Sequence, residues 1–394
     1  MRILTFTSLF PNPADRTLGI FIYQRTLHVA RHSENTVCVV APVPYFPSWL
    51  PLAKWKQMGK IPRMEQIGPL TVYHPRYFLV PKVSMYFHGL LMFLGSFTLL
   101  RKLHRQIGFD CIDAHYVYPD GFAAMLAGKC MGLPVVVSGR GSDINLLAGF
   151  RGIRQMVRWT LGHASRCITV SREIASRMLA LGAPENKITV IGNGVDPTRF
   201  QAMDRHQARQ ALGLPPSAPI IVAVGALVAV KNHRLLLEAA RGILDQHPDL
   251  KVYVIGEGIL RTQLEEFALR AGLGGCVHFP GKCDNQELHQ WYSAANVSCL
   301  PSSREGWPNV VLESLACGTP VVATRVGAVP EILISPELGI IVEPDVGALR
   351  DGLCQALGRS WDQTRISNYA LTRTWDDVAN EVEKTLQAAI LDES

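Results

Sequence analysis

Two glutamates eight residues apart, Glu305 and Glu313, stand in the segment SSREGWPNVVLESLACGTPVVA, residues 302–323. The apolar run Val297–Leu300 reads as a strand, Pro308 as the start of a helix and Gly318 as the residue past its end. Glu305 then lies on the loop that leaves a strand, and Glu313 in the helix behind it. An ionised carboxylate only accepts hydrogen bonds, so it takes hydroxyl donors, while the amides of a helix start take a phosphate. Carboxylates beside such a helix end suit a ligand that is part sugar and part phosphate. The same spacing also occurs on ordinary capped helices with surface acids. Lys231 precedes another helical pattern and is a phosphate partner or a surface lysine. His115 closes the apolar run Cys111–His115 as a ligand contact or a satisfied core histidine, and Asp120 follows as an N-cap or dipole partner. In SGRGSDIN, residues 138–145, Arg140 and Asp143 offer a cation and an acceptor for a hydroxyl or phosphate, unless Asp143 is a cap.

These residues follow strands, and the strands alternate with helices along the chain. One series runs Ile3–Thr7, Thr36–Ala41, Thr71–Tyr73, Cys111–His115, Val135–Gly139, Cys167–Val170 and Thr189–Ile191. A second runs Ile220–Gly225, Lys251–Gly256, Val277–Phe279, Val297–Leu300, Pro320–Ala323 and Gly339–Val342. Between them lie helical patterns at Phe21–Arg31, Asp120–Met131, Ser171–Leu181, Asn232–Gln246, Leu260–Ala271 and Pro308–Ala316. This alternation predicts an α/β protein with two doubly wound, mostly parallel sheets facing one another. The Gly- and Pro-rich stretch 192–219 reads as their linker, giving domains 1–195 and 196–374. A last helical pattern, 375–394, is expected to pack back on the first. Such domains bind ligands at the carboxyl ends of their strands.

The chain has 394 residues, 48% of them hydrophobic and 18% charged, enough for two cores and too apolar for a disordered chain. Its charge is divided: residues 1–195 hold 22 Lys/Arg against 9 Asp/Glu, residues 196–394 hold 17 against 24. The basic half suggests an anionic partner, such as a membrane surface, a phosphorylated lipid or nucleic acid, or else a solvated surface that happens to be basic. Its excess peaks at Lys54, Lys56, Lys60, Arg63, Arg76, Lys82, Arg101, Lys102 and Arg105, with Glu65 the one acid among them. Residues 83–100 carry no charge but are diluted by Ser84, His88, Gly89, Gly95, Ser96 and Thr98. They fit a helix in the bilayer interface beside the basic patch better than a span, and fit a buried helix as well. Met1-Arg2 leads straight into a strand, without the pattern of a secretory signal. The nine cysteines form no CxxC pair and sit mostly in apolar runs, as reduced thiols of a cytoplasmic protein do. There is no GxxxxGK[ST], no GxGxxG and no Asp-x-Asp, so neither a metal nor another cofactor is called for. No recognition-helix motif is present, and the second half is acidic, which argues against nucleic acid.

Residues 302–323 resemble the E-x7-E region of the family 4 retaining glycosyltransferases of the two-domain GT-B fold. VGALVAVKNHRLLLEAA (224–240), VIGEG (254–258), FPGK (279–282), IGNGVDPTRF (191–200), FPNPADRTLGIFIYQRTLHVARH (10–32) and DCIDAHYVYPDGFAAMLA (110–127) are similar to further segments of that family. The resemblance implies that the second domain holds a nucleoside-diphosphate sugar, UDP- or GDP-linked. Lys231 would meet the diphosphate, Glu313 the ribose and Glu305 the sugar, with Gly256, Glu257, Gly306, Asn309 and Val310 in the same donor site. His115 and Gly19 are implied at the sugar end, with Arg140 and Asp143 toward the acceptor. Where the family carries an arginine after Gly225, this chain has Ala226, so a cation of the diphosphate clamp is missing, and either donor affinity is lower or another residue such as Arg140 or Arg325 contributes. The expected reaction is hexosyl transfer, with retention, to a glycan or lipid-linked glycan in cell-surface polysaccharide assembly. Its expected place is the cytoplasm, or the inner face of the plasma membrane. A sugar-nucleotide 2-epimerase and a non-catalytic sugar-nucleotide sensor share the architecture and are the alternatives.

Overall fold

The computed structural model describes residues 1–32, 35–45, 58–79, 84–284 and 287–393. They form two compact units, Met1–Asn193 with Trp375–Ser394, and Gly194–Thr374.

The first unit is built from ten strands: β1 (Arg2–Phe6), β2 (Thr36–Val40), β3 (Val43–Tyr45), β4 (Met64–Ile67), β5 (Leu70–Tyr73), β6 (Arg76–Phe78), β7 (Cys111–His115), β8 (Val135–Gly139), β9 (Arg166–Thr169) and β10 (Ile188–Val190). Eight make one sheet in the order β10-β9-β8-β7-β1-β2-β5-β4, and β3 pairs with β6 apart from it. All neighbours in the large sheet are parallel except β4 and β5. Strands such as β7 and β8 are buried along their whole length, which is why their sequences are continuous apolar runs rather than alternating ones. β3, β4 and β6 are not among the sequence-predicted strands. They are three or four residues long and partly exposed, so neither periodicity nor length marks them.

Helix Trp375–Leu391 packs on this unit, burying Trp375, Val378, Ala379, Val382, Leu386 and Ala389 against Ile3, Cys111, Val136 and Ile168. Asp376 reaches His28 Nδ1 at 2.6 Å. The predicted helix Asp120–Met131 starts two residues later, at Phe122, because residues 117–121 form a wide turn in which Tyr118 is extended. Asp120 is therefore not an N-cap. Of the basic cluster, Lys54, Lys56 and Lys82 lie outside the described residues, as does Val83.

The second unit holds β11 (Ile220–Val224), β12 (Lys251–Ile255), β13 (Val277–Gly281), β14 (Val297–Leu300), β15 (Val321–Thr324) and β16 (Gly339–Val342). They form one parallel sheet in the order β13-β12-β11-β14-β15-β16. Residues 194–219 are part of this unit rather than a loose linker. Helix Arg205–Ala211 carries Arg209, 4% exposed, whose guanidinium donates to the carbonyls of Pro215, Pro216 and Ala294 and to Asn296 Oδ1. The prolines that read as linker punctuation serve there as acceptors. The helix predicted over 232–246 stops at Arg241, before Gly242. Of the nine cysteines, six are buried, Cys283 and Cys354 are half-buried and Cys130 is exposed.

In each sheet the strand order reverses beside the first strand of the unit. β1 has β2 on one side and β7 on the other, and β11 has β12 on one side and β14 on the other. Crevices at the carboxyl ends of such strand pairs are where doubly wound sheets bind ligands. Trp375→Ala removes a 4% exposed indole from the first unit's core. It should cost about 3–5 kcal/mol, as large aromatic deletions do. Calorimetry should show the first unit's transition lowered and the second unit's unmoved.

Candidate functional site

At the switch point of the second unit, the chain leaves β11 through Gly225-Ala226-Leu227, makes a short 3-10 turn at Ala229–Lys231 and enters helix His233–Arg241. Asn232 makes the corner with φ 46°, a left-handed conformation that asparagine tolerates better than most residues. Lys231 Nζ donates to Glu305 Oε1 at 2.7 Å, and Ser302 Oγ donates to the same oxygen at 2.6 Å. The Glu305 loop is fixed to the Lys231 loop through Ser303, whose N–H and Oγ both donate to the Val230 carbonyl at 2.9 and 3.1 Å. From the other side Ala328 N–H donates to the Gly306 carbonyl. Gly327, at φ 53°, lies so near the Glu305 backbone that a Cβ there would come within 2.4 Å of its carbonyl oxygen.

Asn309 and Val310 open helix Asn309–Ala316, which has no capping side chain at Pro308. Its second turn brings the half-buried Glu313 under Tyr292, whose hydroxyl donates to Glu313 Oε2 at 3.2 Å. Burial pushes the Glu313 carboxyl up to about 7, against the pull of Tyr292 and Arg199. Gly256, at φ 149°, is needed for a close backbone approach, since a Cβ there would stand 2.0 Å from the Gly225 carbonyl. Its neighbour Glu257 is paired with Arg261 at 2.6 Å. His233 lies 3% exposed below this loop, and burial lowers its imidazole to about 4, so it is neutral.

The switch point of the first unit is charged and buried. Arg25, on helix Ile20–Arg31 and 2% exposed, donates to both oxygens of Asp113 at 2.5 and 2.7 Å and to Ser138 Oγ at 2.9 Å. Burial raises the Asp113 carboxyl, but Arg25 and His115 pull harder and hold it well below the carboxylate range. His115 is fully enclosed. Its Nδ1 accepts from Arg140 Nη2 at 2.9 Å, and guanidinium is only a donor, so the proton sits on Nε2. Nε2 is 3.3 Å from Asp113 Oδ2 and is not aligned for a hydrogen bond with it. Burial pushes this imidazole down to about 3, so it is neutral at physiological pH. Arg140 also donates to Asn193 Oδ1 at 3.1 Å, and burial lowers it to about 9.

Asp143 accepts from the N–H groups of Val117, Arg140 and Gly141, which commits its carboxylate to shaping the loop. Gly19, at φ 60°, precedes helix Ile20–Arg31, and a Cβ there would meet the Leu9 carbonyl at 2.2 Å. Asp120 accepts from the Ser8 N–H through one oxygen, while the other is buried without a partner.

The sequence-predicted residues thus fall into two groups. Lys231, Glu305, Gly306, Asn309, Val310 and Glu313 gather on the loops and helix after β11 and β14, beside Gly256 and Glu257. His115, Arg140 and Asp143 gather after β7 and β8, and Gly19 belongs to the same unit. Arg25, Asp113, Ser302 and Asn193 were not predicted. A signal existed for the pair: Asp113 interrupts a buried apolar strand, and a charge there needs a partner. Neither expected substitute for the absent arginine is idle, since Arg325 is paired with Glu343 at 3.0 Å and Arg140 is committed as described.

Two family models match this chain: "Glycosyl transferases group 1" over residues 204–373 and "Glycosyltransferase Family 4" over residues 58–199. It is 30% identical over 275 residues to D-inositol 3-phosphate glycosyltransferase 2 of Catenulispora acidiphila, covering 64% of this chain and 63% of that one. It is 26% identical over 394 residues to the teichuronic acid biosynthesis glycosyltransferase TuaC of Bacillus subtilis, covering 98% and 94%. Among solved structures, HepE of Anabaena in complex with UDP superposes with a TM-score of 0.74 at 17% identity, over 98% of this chain and all of that one. The same protein in complex with UDP-glucose gives a TM-score of 0.71.

The buried Asp120 makes a prediction about pH. Burial raises its carboxyl to about 7, so the folded state holds a proton that the unfolded chain releases near its ordinary value of about 4. Stability should fall as pH rises across that window. Asp120→Asn keeps an oxygen for the Ser8 N–H and has no proton to lose. Relative to the wild type it should gain on the order of 2–4 kcal/mol between pH 4 and 8, measured by urea unfolding. Parallel pH profiles for the two proteins would refute this.

Proposed function

Because the chain belongs to the family 4 glycosyltransferases, of GT-B fold, we propose that it moves a hexosyl group, with retention, from a nucleoside-diphosphate sugar to a glycan or lipid-linked glycan. The observation that carries this is the Lys231–Glu305 pair at the switch point of the second sheet. An ammonium has three donors, and Glu305 takes one of them. The others point to phosphate oxygens, and the acceptor-only carboxylate beside them points to sugar hydroxyls. Glu313 then serves the ribose, and the helix start at Asn309 and Val310, next to Gly306, supplies amides to the diphosphate. Gly256 and Glu257 flank the nucleoside end.

In this reading the second unit holds the donor and the first serves the acceptor. Lys231 and the helix amides stabilise the leaving diphosphate as the sugar takes on oxocarbenium character, and charge stabilisation of this kind is usually the largest part of catalysis. His115 enters as a neutral imidazole, with Arg140 holding its tautomer. Gly19 belongs with it at the sugar end, while Arg140 and Asp143 order the acceptor-side loop. The UDP and UDP-glucose complexes of HepE support a nucleotide-sugar donor, and the relative named for teichuronic acid biosynthesis supports a role in cell-surface polysaccharide assembly. A lipid-linked acceptor would be met at the cytoplasmic face of the membrane.

A panel of UDP- and GDP-sugars tests the donor site by thermal shift. A ligand at a hundred times its dissociation constant should add about 2.7 kcal/mol to wild-type stability, and Lys231→Ala and Glu313→Ala should each reduce that gain. Indifference of the wild type to every donor would sink the reading. With an acceptor found, Glu305→Gln should lower kcat about a hundredfold, in the range for loss of a group acting on transition-state charge. The anomeric configuration of the product, read by NMR, decides retention against inversion.

A further inference from the structure

Helix His88–Ile107 turns an unusual face outward. Its inner side, Gly89, Met92, Ser96, Leu100 and Leu103, is buried in the first unit. Along the outer side, Phe87, Leu90 and Leu94 are 61%, 40% and 61% exposed, at spacings of three and four residues. Arg101, Lys102 and Arg105 continue on the exposed side toward the helix end. From Ser84 through Ile107 there is no Asp or Glu.

The orientation of this helix is fixed from behind. A Cβ at Gly89 would come within 2.7 Å of the Phe122 ring, and one at Gly95 within 2.5 Å of Tyr77. Such contacts leave no room for the helix to roll its apolar row inward. The surface continues onto helix Arg151–His163, whose Gly152 packs against the ring of Tyr86. There Phe150 is 46% exposed, Arg151, Arg154 and Arg158 are exposed, and residues 144–163 again contain no acid.

A row of large apolar side chains held in water, continued by cations, has the two properties that an anionic bilayer binds: apolar area for the acyl boundary and positive charge for the headgroups. A second copy of the chain fits poorly, since it would bring cations against cations. No helix among the described residues is long and apolar enough to cross a membrane, so the contact is with the surface. We propose that this face docks on an anionic bilayer. Phe87, Leu90 and Leu94 enter the acyl boundary, and Arg101, Lys102 and Arg105 lie on the headgroup phosphates. The surface extends the transfer reading by giving the place where a lipid-linked acceptor is met. The binding itself needs no donor.

The test is co-sedimentation of the full chain with vesicles of phosphatidylcholine, with and without about a third phosphatidylglycerol, at low and high salt. The wild type should bind the anionic vesicles, ignore the neutral ones and be released by salt. Replacing Arg101, Lys102 and Arg105 together by glutamine should lower partitioning about a hundredfold. Phe87→Ser with Leu94→Ser should lower it at least about tenfold. Both variants should keep the wild-type melting temperature and any donor-induced shift. Failure of the wild type to bind anionic vesicles, or binding that neither variant weakens, overturns the proposal. So does a wild-type dimer that the Phe87/Leu94 variant converts to monomer while vesicle binding is unchanged. Vesicle binding without any donor shift would leave the docking standing and remove the transfer reading.

Discussion

A guanidinium that is 2% exposed has little water to turn to, and Arg25 meets that constraint with both oxygens of Asp113. Much of the chemistry of the first unit hangs on this pair. Asp113 sits on β7, Arg25 on the helix that follows β1, and Ser138 on β8, so the bonds join three neighbouring elements. The pair also sets the electrostatics two residues along. His115 lies near Asp113, which favours its charged form, but burial and the guanidinium groups of Arg25 and Arg140 oppose this and prevail. Buried ion pairs seldom add net stability over apolar packing, whereas losing one partner is expensive. Their value here is to tie three elements together beside His115, whose tautomer Arg140 fixes.

The second unit solves the same positioning problem with backbone. Ser303 bonds the Val230 carbonyl twice, and Gly327 and Gly256 permit approaches that any Cβ would block. Lys231 and Glu305 are thereby aligned without being sealed in, with side chains 24% and 10% exposed. The first unit's cluster is closed off by comparison, with the Arg25 and Asp113 side chains 2% and 5% exposed.

Most of the sheet strands were legible because both faces of a parallel sheet are covered, which makes each strand a short apolar run between turn residues. The helix start at Pro308 was legible from its capping chemistry. β3, β4 and β6 were not, because short, half-exposed strands leave no pattern. Of the two readings of Asp120, N-cap or dipole partner, the cap fails, and its partner, the Ser8 N–H, was not legible because it is 112 residues away in sequence. The same holds for Arg25 and Asp113, separated by 88 positions: the need for a partner is written locally, but its identity is not. The site residues of the second unit were easier, since strand, loop and helix carrying Glu305 and Glu313 are contiguous.

Ala226 shows what a substitution changes when backbone fixes a loop. Gly225-Ala226-Leu227 is held by close packing on Gly256 and Gly258, where a Cβ would meet the Gly225 and Leu227 carbonyls at 2.0 and 2.3 Å. Leu227 N–H also donates to the Glu257 carbonyl. None of these contacts involves the side chain at 226, so alanine there leaves the path of the loop intact and removes only charge. The ammonium of Lys231 is shared with Glu305, which makes it a weaker phosphate partner than a free cation. In the proposed reading, a diphosphate at this switch point would rely on the amides of the Asn309 helix start, which carry partial positive charge and no side-chain entropy to lose.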